Sequence, residues 1–209
     1  MTPVDYARAR RTLARRDPIM RDLMRRHGGC GLAARQHADP FIALTRAIIS
    51  QQLSAKAAAT IAGRFDALCG PGGPTPAAVE ALDDRQLRAA GLSSQKIGYL
   101  RDLCLRIRSG VLRLDTIESL PDEGVVDALT QVKGIGRWTA EMFLIFRLHR
   151  PDVLPVGDLG ILKAVQRVYG LRKVPTAARL TRIGESWRPY RSIACWYLWA
   201  SLDNAPAKE

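Results

Sequence analysis

No run in this 209-residue chain approaches the roughly 18–20 consecutive apolar residues that a bilayer span needs, which excludes a helical membrane protein. The opening segment MTPVDYARARRTLARRD has no apolar stretch after its basic residues, so it does not read as a secretory signal. An intracellular, cytoplasmic protein is expected (nucleoid-associated if the source is bacterial). Four cysteines, Cys30, Cys69, Cys104 and Cys195, are widely scattered without any CxxC spacing. That pattern excludes a zinc site, an iron–sulfur site and a disulfide framework, and reads as small buried apolar residues. No convincing polar–apolar alternation and no low-complexity segment occur, so neither strands nor disordered linkers are expected. Acidic residues are in deficit: 20 Asp and Glu face 32 Lys and Arg, giving a net charge of +12 and a pI near 10.2. A field of that sign attracts polyanions, nucleic acid first and an anionic membrane surface second.

What the chain does contain is helix. Hydrophobic residues make up 47% and charged residues 25%, the balance of a globular protein with a core to bury. Asp17-Pro18, Asp39-Pro40 and Thr75-Pro76 each pair a capping residue with proline at the first helical position. Ser93 or Ser94 starts a helix carrying Ile97, Leu100, Leu103, Cys104 and Ile107 at helical spacing, closed by Gly110. Further helices are expected from about Pro121 to Val132, Arg137 to Leu148, Asp158 to Tyr169, Thr176 to Trp187 and Pro189 to Leu202. The region from Thr75 to Gly91 reads as one helical stretch. Roughly ten helices with short connections predict an all-α fold.

Two segments carry chemistry. Between two helices stands Lys133-Gly134-Ile135-Gly136-Arg137. Glycines permit a tight turn and let backbone approach a ligand, and the amides opening the second helix form a phosphate site at the positive end of its dipole. Ile135 can anchor the turn, and Lys133 and Arg137 add charge. An ordinary helix–helix turn is the competing reading. The second segment, VLPVGDLGI, places Asp158 after a loop and before an apolar helix. A helix N-cap is its ordinary role, and that role also suits a carboxylate held to stabilise a cation.

Together these segments resemble the helix-hairpin-helix (HhH-GPD) DNA glycosylases, most nearly those of the 3-methyladenine DNA glycosylase II type. The resemblance is carried by VKGIGRWTAEMFLIF, DVLPVGDLGI and WRPYRSIACWYLW, with AIISQQLSAKAA and AAGLSSQKIGYL upstream, and covers roughly Asp39 to Leu202. It implies two helical lobes, residues 40–151 with the hairpin at 129–148, and residues 1–39 plus 152–209, with the active-site cleft between them. It implies base excision repair of alkylation damage in double-stranded DNA by a monomer, with the nucleotide flipped out of the duplex. Asp158 takes the place of the family's catalytic aspartate, stabilising the oxocarbenium-like sugar. Bifunctional relatives carry a nucleophilic lysine where Trp138 stands, so a monofunctional hydrolase is implied. Gln52, or Leu53 beside it, falls where the family fills the gap left by the flipped base. Lys133, Gly134, Ile135, Gly136, Arg137 and Thr139 are the implied DNA contacts, and Trp138, Met142, Tyr197 and Trp199 the implied base pocket. Aromatic walls suit a cationic alkylated purine.

Trp196, Tyr197 and Trp199 cannot all face one way on a helix, so at least one of them belongs to the core. The resemblance further implies a structural monovalent cation held by the carbonyls of Thr130, Val132 and Ile135. No cofactor is required: the four-cysteine cluster of some relatives is absent, and with it the iron–sulfur cluster. Larger relatives carry an extra β-rich N-terminal domain, whereas 38 residues precede Asp39 in this sequence, and the run Arg8, Arg10, Arg11, Arg15 and Arg16 reads as a solvated face. The alternatives are a glycosylase of the same fold for oxidised or deaminated bases, and a non-catalytic helix-hairpin-helix DNA-binding protein.

Phosphate contacts position a protein without reading sequence. Lys133→Ala and Arg137→Ala are therefore expected to weaken binding to every duplex alike. Each should lessen the slope of log K against log salt by about 0.9 in a salt titration. A loss confined to one lesion would contradict the assignment.

Overall fold

Among the described residues, nine helices begin after an Asp, Ser or Thr whose side-chain oxygen accepts from a first-turn amide. The chain is thus cut into helices largely by its own capping residues. The computed structural model describes residues 4–34 and 39–203, and among these lie twelve α-helices, three short 3-10 turns and no strand. In chain order the helices are α1 (Tyr6–Arg16), α2 (Pro18–His27), α3 (Pro40–Ser50), α4 (Ala55–Cys69), α5 (Pro76–Ala81), α6 (Asp84–Ala89), α7 (Ser94–Arg108), α8 (Asp122–Thr130), α9 (Arg137–Phe146), α10 (Leu159–Val168), α11 (Ala177–Gly184) and α12 (Arg191–Asp203). None is long and apolar enough to cross a membrane.

The all-α expectation matches, with two local corrections. The stretch from Thr75 to Gly91 is two helices, because Asp83 and Gln86 form a capping box that restarts the chain at α6. The helix after the hairpin stops at Phe146, before Leu148. His149 takes a left-handed φ of 51° and the Arg150 N–H bonds back to the Leu144 carbonyl, turning the chain away.

Two units result. One holds the described residues from 39 to 143, the other those up to 34 together with those from 144 to 203. The dividing point lies between Phe143 and Leu144, not at the expected 151–152. Packing explains the shift: Phe146 lies against Trp199 of α12 with ring centroids 5.5 Å apart, and the Ser192 hydroxyl donates to the Arg150 carbonyl at 2.6 Å. The first unit is cored by Leu44, Ile48, Phe65, Leu87, Leu100 and Leu103, all fully buried. Each such side chain contributes on the order of 2 kcal/mol by leaving water.

The second unit joins two distant pieces of chain, and one buried carboxylate stitches them. Asp17 ends α1 and caps α2: its Oδ1 accepts from the Ile19 and Met20 amides at 2.9 and 3.2 Å. Its Oδ2 accepts from Trp187 Nε1 at 2.9 Å and from the Tyr169 hydroxyl. Burial and the Asp17 carboxylate push the Tyr169 phenol far above its ordinary pKa, so it remains a donor. The N-terminal arginines lie on α1, where Arg8, Arg11 and Arg15 are exposed and Arg16 donates to the Arg188 carbonyl.

Asp17→Asn keeps the shape but replaces an acceptor oxygen with a donor that faces donors. Unfolding free energy should fall by about 2–4 kcal/mol in urea denaturation. A loss below about 1 kcal/mol would show that the two chain pieces are held without it.

Candidate active site and nucleic-acid interface

In the unit of residues 39–143, the hairpin and the loop after α3 are fixed by α7. Gly134 has a φ of +81°, and a Cβ built on it would meet the Tyr99 ring at 2.2 Å. Only glycine fits there, because the turn lies directly on the aromatic face. The Lys133 amide donates to Asp102 Oδ2 at 2.9 Å, and Arg106 Nε donates to the same oxygen at 2.8 Å. Burial alone would raise the Asp102 pKa, but the Lys133 amide and the Arg106 guanidinium outweigh it and hold the carboxyl below its usual range. Gln51 Nε2 donates to the Gly134 carbonyl at 2.8 Å. Lys96 Nζ donates to the Ile49 and Gln51 carbonyls, both at 2.7 Å, where α3 ends. Desolvation lowers its pKa.

Gly136 is different. Its Cβ would meet nothing within 4 Å, so no steric contact among the described residues requires a glycine there. It precedes α9 and has no side chain to cap the first turn, while the Ala140 N–H already bonds to the Gly136 carbonyl. The start of α9, behind a residue with no side chain, is a helix N-terminus of the kind that receives phosphate oxygens. Arg137 pairs its guanidinium with both oxygens of Glu123, at 3.2 and 2.8 Å, and the two side chains are 55% and 72% exposed. An exposed pair of this kind is weak, so the guanidinium can exchange its carboxylate for a phosphate. The same arginine lowers the Glu123 pKa.

In the other unit, Asp158 caps α10. Its Oδ1 accepts from the Ile161 amide at 2.7 Å and from Trp199 Nε1 at 3.0 Å, and the residue is only 7% exposed. Gly160 makes room: a Cβ there would come within 3.0 Å of Asp158 Oδ1 and 3.2 Å of the Trp199 ring. The loop before Asp158 is anchored by the start of α12. Arg191 bonds Asp152 through Nε–Oδ1 at 2.7 Å and Nη2–Oδ2 at 3.0 Å. Ser192 donates its amide to the Pro151 carbonyl and accepts from the Val153 amide on its hydroxyl, at 3.0 and 2.9 Å. One helix thus fixes the approach to Asp158 and, two turns on, supplies the indole that orients its carboxylate. The arrangement presents a rigidly aimed carboxylate at a helix N-terminus, suited to stabilising positive charge.

The sequence-derived assignments fall out unevenly. Gln52 and Leu53 are both exposed on the loop after α3, and Gln52 has a left-handed φ of 58°. Lys133 is exposed, and Ile135 is buried as an anchor at 4% exposure. Thr139 is buried. Trp138 is 49% exposed, Met142 is half-buried, and Trp199 is half-buried against Asp158. Tyr197 is corrected: it is fully buried, its hydroxyl donates to the Gly28 carbonyl at 2.9 Å, and burial pushes its pKa up to about 12. It belongs to the core of its unit because it points away from the face that carries Trp199. Val132 O accepts from the Ile135 amide at 3.1 Å, closing the turn, and Thr130 is the last residue of α8. Gln51, Lys96, Tyr99, Asp102 and Glu123 escaped the sequence reading. For the three on α7, the available signal was polar residues recurring at 96, 99, 102 and 106, which lie along one side of a helix.

The family model described as HhH-GPD superfamily base excision DNA repair protein matches residues 45–189. The chain is 40% identical over 163 residues to DNA-3-methyladenine glycosylase 1 of Schizosaccharomyces pombe, covering 77% of this chain and 72% of that one. The fission-yeast 3-methyladenine DNA glycosylase in complex with abasic DNA superposes with a TM-score of 0.86 at 35% identity, over 97% of this chain and 100% of that one. A DNA-3-methyladenine glycosidase of Bacillus halodurans gives 0.84 at 36% identity, over 94% and 89% of the two chains.

The two hairpin glycines separate under mutation. Gly134→Ala should cost about 3 kcal/mol in urea denaturation, from its positive φ and the Tyr99 clash. Gly136→Ala should cost under about 1 kcal/mol, yet weaken duplex binding in a fluorescence-anisotropy titration. Equal stability losses at the two positions would refute the division of roles.

Proposed function

Because the chain belongs to the HhH-GPD superfamily of base excision DNA repair proteins, we propose that it is a monofunctional DNA glycosylase hydrolysing the N-glycosidic bond of alkylated purines flipped from duplex DNA. The substrates are of the 3-methyladenine and 7-methylguanine type; the names of the fission-yeast and Bacillus relatives carry the first of these. The single observation that carries the reading is the Asp158 carboxylate, aimed by the Ile161 amide and the Trp199 indole.

An alkylated purine is already cationic. As the C1′–N bond breaks, the bonding pair leaves with the base, which departs neutral, and the positive charge passes to the sugar. The Asp158 carboxylate stabilises that oxocarbenium. Water then adds its oxygen to C1′ and loses a proton, first to the carboxylate and then to solvent. No separate acid is needed. Trp138 stands where bifunctional relatives carry the lysine nucleophile, so no Schiff base forms and the abasic strand stays intact. Its exposed indole, with Met142, offers aromatic and thioether surface to a base.

The hairpin grips the phosphodiester backbone through the first amides of α9, with Lys133 and Arg137 beside them. The carbonyls of Thr130, Val132 and Ile135 are hard neutral donors of the kind a monovalent cation takes. Val132 O spends one lone pair on the Ile135 amide and keeps another, and the Thr130 carbonyl ends α8 without an intrahelical donor. A cation there would add positive charge beside the bound phosphate. The protein would work as a monomer on the chromosome.

Incubation with methylated duplex DNA should release free 3-methyladenine or 7-methylguanine and leave unbroken abasic strands, with no borohydride-trapped adduct. Asp158→Asn should slow release by about 10²–10³-fold under single-turnover conditions. Release that survives the substitution, or strand cleavage accompanying it, would overturn the assignment. Tight binding of abasic DNA by a wild-type protein that releases no base would favour the oxidised-base or non-catalytic alternatives.

A further inference from the structure

The loop after α3 does not hold its own shape. Gln52 sits at a φ of 58° with its side chain exposed. A non-glycine residue persists in that sparsely populated region only where its surroundings impose it. The surroundings here are Lys96 and Gln51. Lys96 Nζ spans the carbonyls of Ile49 and Gln51, fixing the chain immediately before Gln52. The Gln51 side chain reaches across to the Gly134 carbonyl, and the Leu53 amide returns to Ser50.

The same helix carries the hairpin. One turn after Lys96, Tyr99 lies against Gly134; one turn further, Asp102 receives the Lys133 amide. Loop and hairpin are therefore mounted on one face of α7 and bridged by Gln51. The Lys96 ammonium is turned inward to carbonyls, unlike the exposed Lys133 beside the phosphate-binding amides.

The geometry points to Lys96 as a positioning residue that sets Gln52, the side chain filling the gap left by a flipped nucleotide, in register with the phosphate-gripping hairpin. Gripping the backbone and filling the gap become one event. The inference rests on the reading of the chain as a base-flipping glycosylase, and it concerns positioning, not chemistry.

The test uses the full chain and two duplexes, one undamaged and one with a tetrahydrofuran abasic analogue flanked by 2-aminopurine, whose fluorescence rises when its stacking is disturbed. Lys96→Met should bind the undamaged duplex with the wild-type Kd and salt slope. Its preference for the abasic duplex should fall about tenfold or more, as expected for losing a charge-assisted anchor, and the fluorescence rise should shrink with it. Lys96→Arg should restore most of both.

Three results would overturn the inference: an unchanged abasic preference, equal losses on both duplexes, or a salt slope lessened by about 0.9, which marks a phosphate contact instead. Should Lys96→Met fail to fold, Gln51→Leu cuts the loop from the hairpin and is read on the same duplexes against the same outcomes. Base release is not a readout. A wild-type protein that wedges and disturbs the stack but frees no alkylated base would sink the substrate reading and leave this inference standing.

Discussion

Two N–H donors meet on one oxygen of Asp158, and much of the chain after residue 144 is arranged to keep them there. The Ile161 amide comes with the helix that Asp158 caps; the Trp199 indole arrives from a helix forty residues on. Bringing them together needs a gap, supplied by Gly160, and a fixed loop, supplied by Asp152, Arg191 and Ser192. Behind these, Asp17 ties the end of α10 and the turn before α12 to the N-terminal helices. Each layer is hydrogen-bonded to the next, so the carboxylate inherits the rigidity of the whole unit. A charge that must meet another charge as it forms gains most when no reorganisation is needed at that moment.

The other unit has a different task in the proposed function, holding a polyanion without reading its sequence. It does so with backbone. Gly134 buries the turn on Tyr99, and Gly136 puts no side chain before the helix that follows. The two glycines therefore differ: a side chain at 134 would strike Tyr99, whereas one at 136 would meet nothing within 4 Å, which leaves room for the phosphate proposed there. The charge nearby is at the surface by comparison. Arg137 pairs with Glu123 in an exposed contact, which water screens and a phosphate can replace.

That difference explains what was legible in the sequence. Caps and turns are local, so Asp17-Pro18, Asp39-Pro40, Gly-Ile-Gly and Asp158 could be read from adjacent residues. The family resemblance then gave Asp158 its chemistry and Trp138 its meaning as the absence of a lysine. What escaped is tertiary. Nothing local to Asp102 says that it will accept the Lys133 amide, and nothing in the CWYLW run says which ring turns inward. Tyr197 is drawn inward by the Gly28 carbonyl, a partner 169 residues away. The break between α5 and α6 is the exception: Asp83 and Gln86 carry a capping box at the expected spacing, a signal wholly local to the sequence.

Position 138 constrains the rest of the proposed chemistry. Without a covalent intermediate, the enzyme has only charge stabilisation with which to lower the barrier, and one oriented group of this kind contributes about 3–4 kcal/mol. A neutral purine leaves as an anion and needs far more. A purine carrying alkylation charge leaves neutral and needs less. Selection can therefore reside in the leaving group, with little demand for hydrogen bonds to the base edge. The walls named for the base are accordingly an exposed indole and a thioether, which accept many shapes. Such a site discriminates only after a base has been unstacked and presented. The precision that the base-binding side chains do not supply must then lie in how the nucleotide is extruded and its gap held, where the structure invests Lys96, Gln51 and a strained Gln52.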